Sequence, residues 1–132
     1  MYQKHLLNKS YYSNYVIPPY TAVKFDTSQA ADYVMPAVAA TDLIIGVVNE
    51  LGFTALDVTN GSNVDVVLDG IVQLSIGAAV IEGQRLTINA SGQGILAAPA
   101  AGANAQVIGI ALSSGSTSDV IPVLLRQSVM QG

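Results

Sequence analysis

The chain has no cysteine and no tryptophan, and its one histidine, His5, lies near the start. Without cysteine there can be no disulfide, no thiolate metal site and no cysteine nucleophile. A single histidine rules out a multi-histidine metal centre and gives no basis for a histidine-dependent triad. Charge is also scarce: 11% of residues are charged and 51% are hydrophobic, whereas ordinary soluble domains carry about 25% charged residues. So thinly charged a surface points to one that other subunits cover. Long apolar runs are missing too. The richest stretch, residues 33–48, is broken by Pro36, Thr41 and Asp42, and falls short of the roughly 18 apolar residues of a membrane-crossing helix. The N-terminal stretch has no apolar h-region, so no secretory signal and no membrane partner is expected.

What is present is unevenly placed. Residues 1–20 carry Lys4, His5 and Lys9 and no acid, while residues 21–132 carry all nine acids against Lys24, Arg85 and Arg126. So acidic a body does not hold nucleic acid by neutralising phosphates. The first twenty residues also hold Tyr2, Tyr11, Tyr12, Tyr15 and Tyr20 and have neither a helical nor a strand period. They read as an extended N-terminal arm. Tyrosine offers a large amphipathic contact area at low entropic cost and is enriched at interfaces. The candidate interface set is therefore Tyr2, Lys4, His5, Lys9, Tyr11, Tyr12, Tyr15 and Tyr20. The competing reading is an arm packed on its own domain.

Beyond the arm, at residues 21–132, the sequence repeats within what its length suggests is a single domain. Val23-Lys-Phe25-Asp26 lines up with Leu86-Thr-Ile88-Asn89, Pro36-Ala37 with Pro99-Ala100, and Ile45-Gly46-Val47 with Ile108-Gly109-Ile110, each at a separation of 63 residues. Gly61-Ser62-x-x-Asp65 matches Gly115-Ser116-x-x-Asp119 at a separation of 54, which implies a nine-residue insertion near Glu50–Val58. Val16–Pro19 lines up with Val80–Gly83. Two such units, at about 16–69 and 80–125, describe a duplicated β element; a solenoid needs at least three repeats. Short Val- and Ile-rich runs between Gly, Asn and Ser turns read as strands, and they are expected at Leu43–Val48, Val64–Leu68, Val107–Leu112 and Val120–Leu125. Asn60-Gly61 signals a hairpin. Ala37–Asp42 reads as a short helical turn and Ala97–Ala105 as a loop. Gly46 and Gly109, at equivalent places inside strands, imply close backbone approach, either at a bulge or at a subunit contact. The fold class is therefore all-β, a compact barrel- or sandwich-like domain built from a duplicated unit.

No catalytic set emerges. Gly92-Gln-Gly94 lacks the strand-to-helix context of a phosphate loop and reads as a tight turn. Asp57–Asp65 concentrates oxygen ligands but departs from the calcium-loop pattern, and Asx turns account for it. Asp65 and Asp69 read as charges that keep a strand edge soluble, and Asp119 as a turn cap. No nucleophile elbow is present. No catalytic residue, cofactor or metal ligand is assigned, and an enzyme is not expected.

Gly77-Ala-Ala-Val-Ile-Glu-Gly83-Gln-Arg-Leu86, Asn89-Ala-Ser-Gly92, Ala98-Pro99-Ala100, Val107-Ile-Gly109-Ile-Ala111-Leu112 and Asp119-Val-Ile-Pro-Val-Leu124 together resemble the small phage capsid decoration, or cement, proteins. The similarity covers residues 70–125 well and the first copy more loosely. It implies a β-fold, often trimeric, that sits on the outer surface of a capsid after synthesis in the host cytoplasm. It also implies the major capsid protein and further copies of the chain as partners. The role implied is to stabilise the capsid by bridging its subunits, with the arm reaching neighbours by β-augmentation. Another virion part, such as a fibre or spike base or a tail component, is the alternative, and a carbohydrate-binding β domain ranks below it.

Overall fold

The computed structural model describes residues 7–48 and 62–132. Its strands are β1 (Leu7–Ser13), β2 (Ala22–Phe25), β3 (Val34–Pro36), β4 (Gly46–Val48), β5 (Ser62–Asp69), β6 (Ile71–Ser75), β7 (Arg85–Ile88), β8 (Gly94–Leu96), β9 (Asn104–Ala111) and β10 (Val120–Gln131). There is no helix among the described residues, so none is long and apolar enough to cross a membrane. The all-β expectation holds.

The strands form two five-stranded antiparallel sheets, in the orders β1-β5-β4-β2-β3 and β6-β10-β9-β7-β8. The two orders are the same topology written twice, so the duplication is real. Each sheet curls until its two ends come together. A parallel bridge joins Tyr12 to Tyr33 in the first unit, and another joins Ile76 to Gly94 in the second. Closing a sheet in this way leaves little free edge.

The pairing registers correct the repeat as read from sequence. Tyr11 lies opposite Val64 just as Leu74 lies opposite Ile121. β1 is therefore the counterpart of β6, and the first unit begins at β1. Over residues 7–13 the expected arm is a paired strand of the domain. Val23 pairs Pro36 while Leu86 pairs Leu96, so Pro36 corresponds to Leu96 and not to Pro99. The β2–β3 loop is three residues longer than its β7–β8 counterpart. Val47 pairs Val67 while Ile110 pairs Leu124. Asp65 thus corresponds to Pro122 and not to Asp119, and the spacing leaves an insertion of six residues instead of nine. Glu50–Val58, Asn60 and Gly61 lie outside the described residues. The Tyr20 N–H donates to the Val48 carbonyl as the Gly83 N–H does to Ala111. Both residues take positive φ, 63° and 91°, so the Pro18-Pro19 turn aligns one position away from where similarity places it.

The cores follow the same division. Tyr11, Ile17, Val23, Val34, Val48, Val64 and Val66 fill the first unit. Their counterparts Leu74, Val80, Leu86, Ala111, Ile121 and Val123 sit in the second. That second cluster is continuous with Ala22, Ala37, Ile44, Val47 and Val67, contributed by the first unit, so one apolar seam joins the two. Backbone bonds cross it, from Ser75 N–H to Tyr20 O (2.9 Å) and from Gln106 N–H to Ala40 O (2.7 Å).

The segment 37–42, expected as a helical turn, is a turn held by one carboxylate. Asp42 Oδ2 accepts from the N–H groups of Val38 (2.9 Å) and Ala39 (3.1 Å), and Oδ1 pairs with Lys24 Nζ at 3.0 Å. Burial raises the Asp42 pKa, but the Val38 N–H, Lys24 and the Ala39 N–H outweigh it and hold the carboxyl below its ordinary 3.8. Because the folded pKa is the lower one, the stabilisation is present above pH 3.8 and is lost as pH falls through the folded value. Asp42→Asn is expected to cost about 1 kcal/mol at neutral pH. In denaturant melts, its gap to wild type should narrow as the solution is acidified below the ordinary carboxylate range.

Both strand glycines stand at a close backbone approach, as expected, but the approach is to the neighbouring strand of the same sheet and not to another subunit. A Cβ on Gly46 would collide with the Val67 carbonyl oxygen, and one on Gly109 with that of Leu124. These obstacles are backbone atoms of the neighbouring strand, which no side-chain rotation relieves. Gly46→Ala and Gly109→Ala are each expected to destabilise by about 2–3 kcal/mol in urea unfolding.

Candidate assembly surface

Among the described residues no three His, Cys, Asp or Glu side chains gather to hold a metal. The acids singled out in sequence have structural partners. Asp65 sits on β5, between β1 and β4, and accepts from Ser10 Oγ at 2.6 Å, so it does not guard an edge. Asp119 caps its turn by accepting from Ser116 N–H at 2.9 Å. Gly92, at φ 73°, occupies a turn. What the surface offers is contact chemistry.

That chemistry concentrates where β1 meets the β2–β3 loop. Along β1 side chains alternate between faces. Lys9, Tyr11 and Ser13 point one way, Ser10 and Tyr12 the other. Tyr11 is only 5% exposed and packs edge-on to Phe25, with ring centroids 5.9 Å apart and planes at 72°. It fills the place that Leu74 holds in the second unit, so its ring is a core group and not a free contact. Tyr12 is 45% exposed, and its ring lies against Tyr33 at 5.6 Å. Its N–H donates to Asp32 O at 2.8 Å. Tyr15 is exposed beyond the strand, with its N–H donated to buried Ser13 Oγ at 3.0 Å. Tyr20 is half-buried in its turn. Tyr2, Lys4 and His5 lie outside the described residues.

Lys9 ties the strand to the loop. Its Nζ is 3.1 Å from Asp32 Oδ1 and 4.9 Å from the Tyr11 ring centroid. The Asp32 hydrogen bond and charge raise the Lys9 pKa above its ordinary 10.5. Both side chains are about half exposed, so the pair fixes geometry more than it stabilises. Tyr12, Tyr15 and Phe25 are each exposed around this junction, with Tyr33 against Tyr12 and the ion pair beside Tyr11. Phe25 and Tyr33 were not among the sequence candidates; the tyrosine count drew attention to the arm and away from the loop that packs on it.

The fold is thus two closed units joined by a common seam. Residues 21–127 match the phage cement protein family. The chain belongs to that family. This cement protein is thus a virion structural protein of all-β fold, one that stabilises the phage capsid, as its resemblance in sequence implied. Its fold is also similar to the crystal structure of the head fiber gp8.5 N base of bacteriophage phi29, with a TM-score of 0.61, 12% identity, 97% of this chain and 100% of that chain covered. At that identity the likeness is one of fold. No curated protein matches the cement protein significantly.

The two neighbouring tyrosines separate packing from contact. Tyr11→Ala is expected to cost about 3–5 kcal/mol, as for other large aromatic core deletions. Tyr12→Ala should cost no more than about 1 kcal/mol. Equal losses for the two in chemical denaturation would contradict the assignment of faces.

Proposed function

We propose that the protein binds the outer surface of an assembled phage capsid and stabilises it by bridging capsid subunits, acting as a homotrimer without enzymatic activity. Membership of the phage cement family over residues 21–127 carries this reading. The exposed side chains of Tyr12, Tyr15 and Phe25 support it, because partly exposed aromatic side chains anchor protein interfaces. The sparse charge of the chain, 11%, fits a surface largely covered by neighbours. A protein that binds only the assembled lattice shifts the disassembly equilibrium by mass action, by about 2.7 kcal/mol per site at a hundredfold excess over Kd.

A second reading is the base of a capsid-attached fibre, favoured by the full-length fold similarity to a head fiber base. In that reading the protein still seats on the capsid, but its far side carries another chain.

Deleting residues 1–20 is a poor test, since it removes β1. Point changes on the exposed face serve better. The double variant Tyr12→Ala/Tyr15→Ala should keep the wild-type unfolding midpoint within a few degrees and co-sediment with depleted capsids at least about tenfold more weakly. Wild-type protein should raise the temperature at which those capsids open. Capsids that open at the same temperature with and without bound protein would overturn the stabilising role.

A further inference from the structure

The duplicated fold provides its own comparison for the β2–β3 loop. Asp26 and Asn89 occupy equivalent places. The Asp26 N–H donates to Tyr33 O as the Asn89 N–H does to Gln93 O, both at 2.9 Å. Each side chain closes the same turn with its Oδ1, Asp26 accepting from Ser28 N–H at 3.1 Å and Asn89 from Ser91 N–H at 2.9 Å. The other terminal atom differs. Asn89 Nδ2 donates to Gln93 Oε1 at 3.2 Å. Asp26 Oδ2 is buried with no hydrogen-bond partner, on a residue 5% exposed. A buried carboxylate oxygen without a donor is unfavourable, and the second unit demonstrates that the fold can satisfy this position.

A groove runs along this longer loop, with Asp26 in its lining. It has a volume of about 440 Å³ and is lined by Phe25, Asp26, Gln29, Asp32 and Tyr33 among others. Aromatic rings beside carboxylates suit a guanidinium, which is weakly hydrated, stacks on rings and donates along a planar fork. Asp32 is partly neutralised by Lys9, which leaves Asp26 as the unanswered acceptor.

We propose that this groove receives an arginine side chain of the capsid subunit, whose N–H groups donate to Asp26 Oδ2 once a small shift of the loop uncovers that oxygen. The inference rests on the capsid-binding role proposed above. The capsid is the source because the chain as a whole is acidic, with a formal charge of −4, and two acidic copies repel where a basic partner is attracted. The complementary basic surface therefore belongs to a different protein.

Two experiments test it. In the first, protein with ¹³C-labelled aspartate carboxyls is titrated with N-acetyl-arginine methylamide, and separately with its neutral isostere N-acetyl-citrulline methylamide, at matched ionic strength. The Asp26 carboxyl and Phe25 ring resonances should move saturably with the arginine compound only. Equal movement with both, or none with either, overturns the groove. In the second, Asp26→Asn keeps the turn that Asn89 makes in the second unit. It is expected to unfold as wild type does yet bind depleted capsids at least about tenfold more weakly. Wild-type binding by this variant overturns the proposal, as does loss of self-association with capsid binding retained. Failure of the wild type itself to bind capsids would overturn the capsid role, and the titration alone would then decide the groove.

Discussion

Two strand pairs meet so closely that a carbonyl oxygen occupies the space of a missing side chain. Val67 O lies where a Cβ of Gly46 would be, and Leu124 O where that of Gly109 would be. Each contact locks the register between the fourth and fifth strands of its unit. Those strands are the middle of each sheet, so the placement of every other strand follows from them. A slip of one residue would turn the alternating faces inside out and empty both cores. The constraint is steric, and it was copied along with the rest of the unit.

Once the registers are fixed, the division of labour between the copies follows. Corresponding positions fill the interior of each unit, with Tyr11 in the place of Leu74 and Val23 in the place of Leu86. A larger ring at the first position calls for a partner, and Phe25 packs against it edge-on. The same packing brings the β2–β3 loop against β1, where Lys9 and Asp32 hold it. Core substitution and surface feature are thus one event. The unit with the aromatic interior is also the one that exposes Tyr12, Tyr15 and Phe25.

Much of this was legible in sequence. Strand chemistry, the duplication and the meaning of Gly46 and Gly109 are local signals, readable from residue type and spacing. Alignment was less secure because short apolar runs resemble one another in any register. Pro36 matched Pro99 by identity, yet hydrogen bonding places it with Leu96. β1 went unrecognised because its tyrosines and polar residues do not alternate cleanly: one tyrosine is buried and the next exposed. β6 is short and takes its identity from β10, far along the chain, and β8 is only three residues long. Asp26 looked unremarkable for the same reason, since only its duplicate Asn89 reveals what it lacks.

The pairing of β1 with β5 also sets a timetable for biosynthesis. Leu7 pairs with Asp69 and Ser13 with Ser62, so the first barrel cannot close until the ribosome has released residue 69. Until then the unpaired edge of β1 and its two tyrosines wait in a nascent chain, the condition in which sheets pair with the wrong neighbour. Lys9 and Ser10 at the middle of that strand interrupt it with polar groups. The second unit, with its own strands contiguous from β6 to β10, then forms against a surface already built.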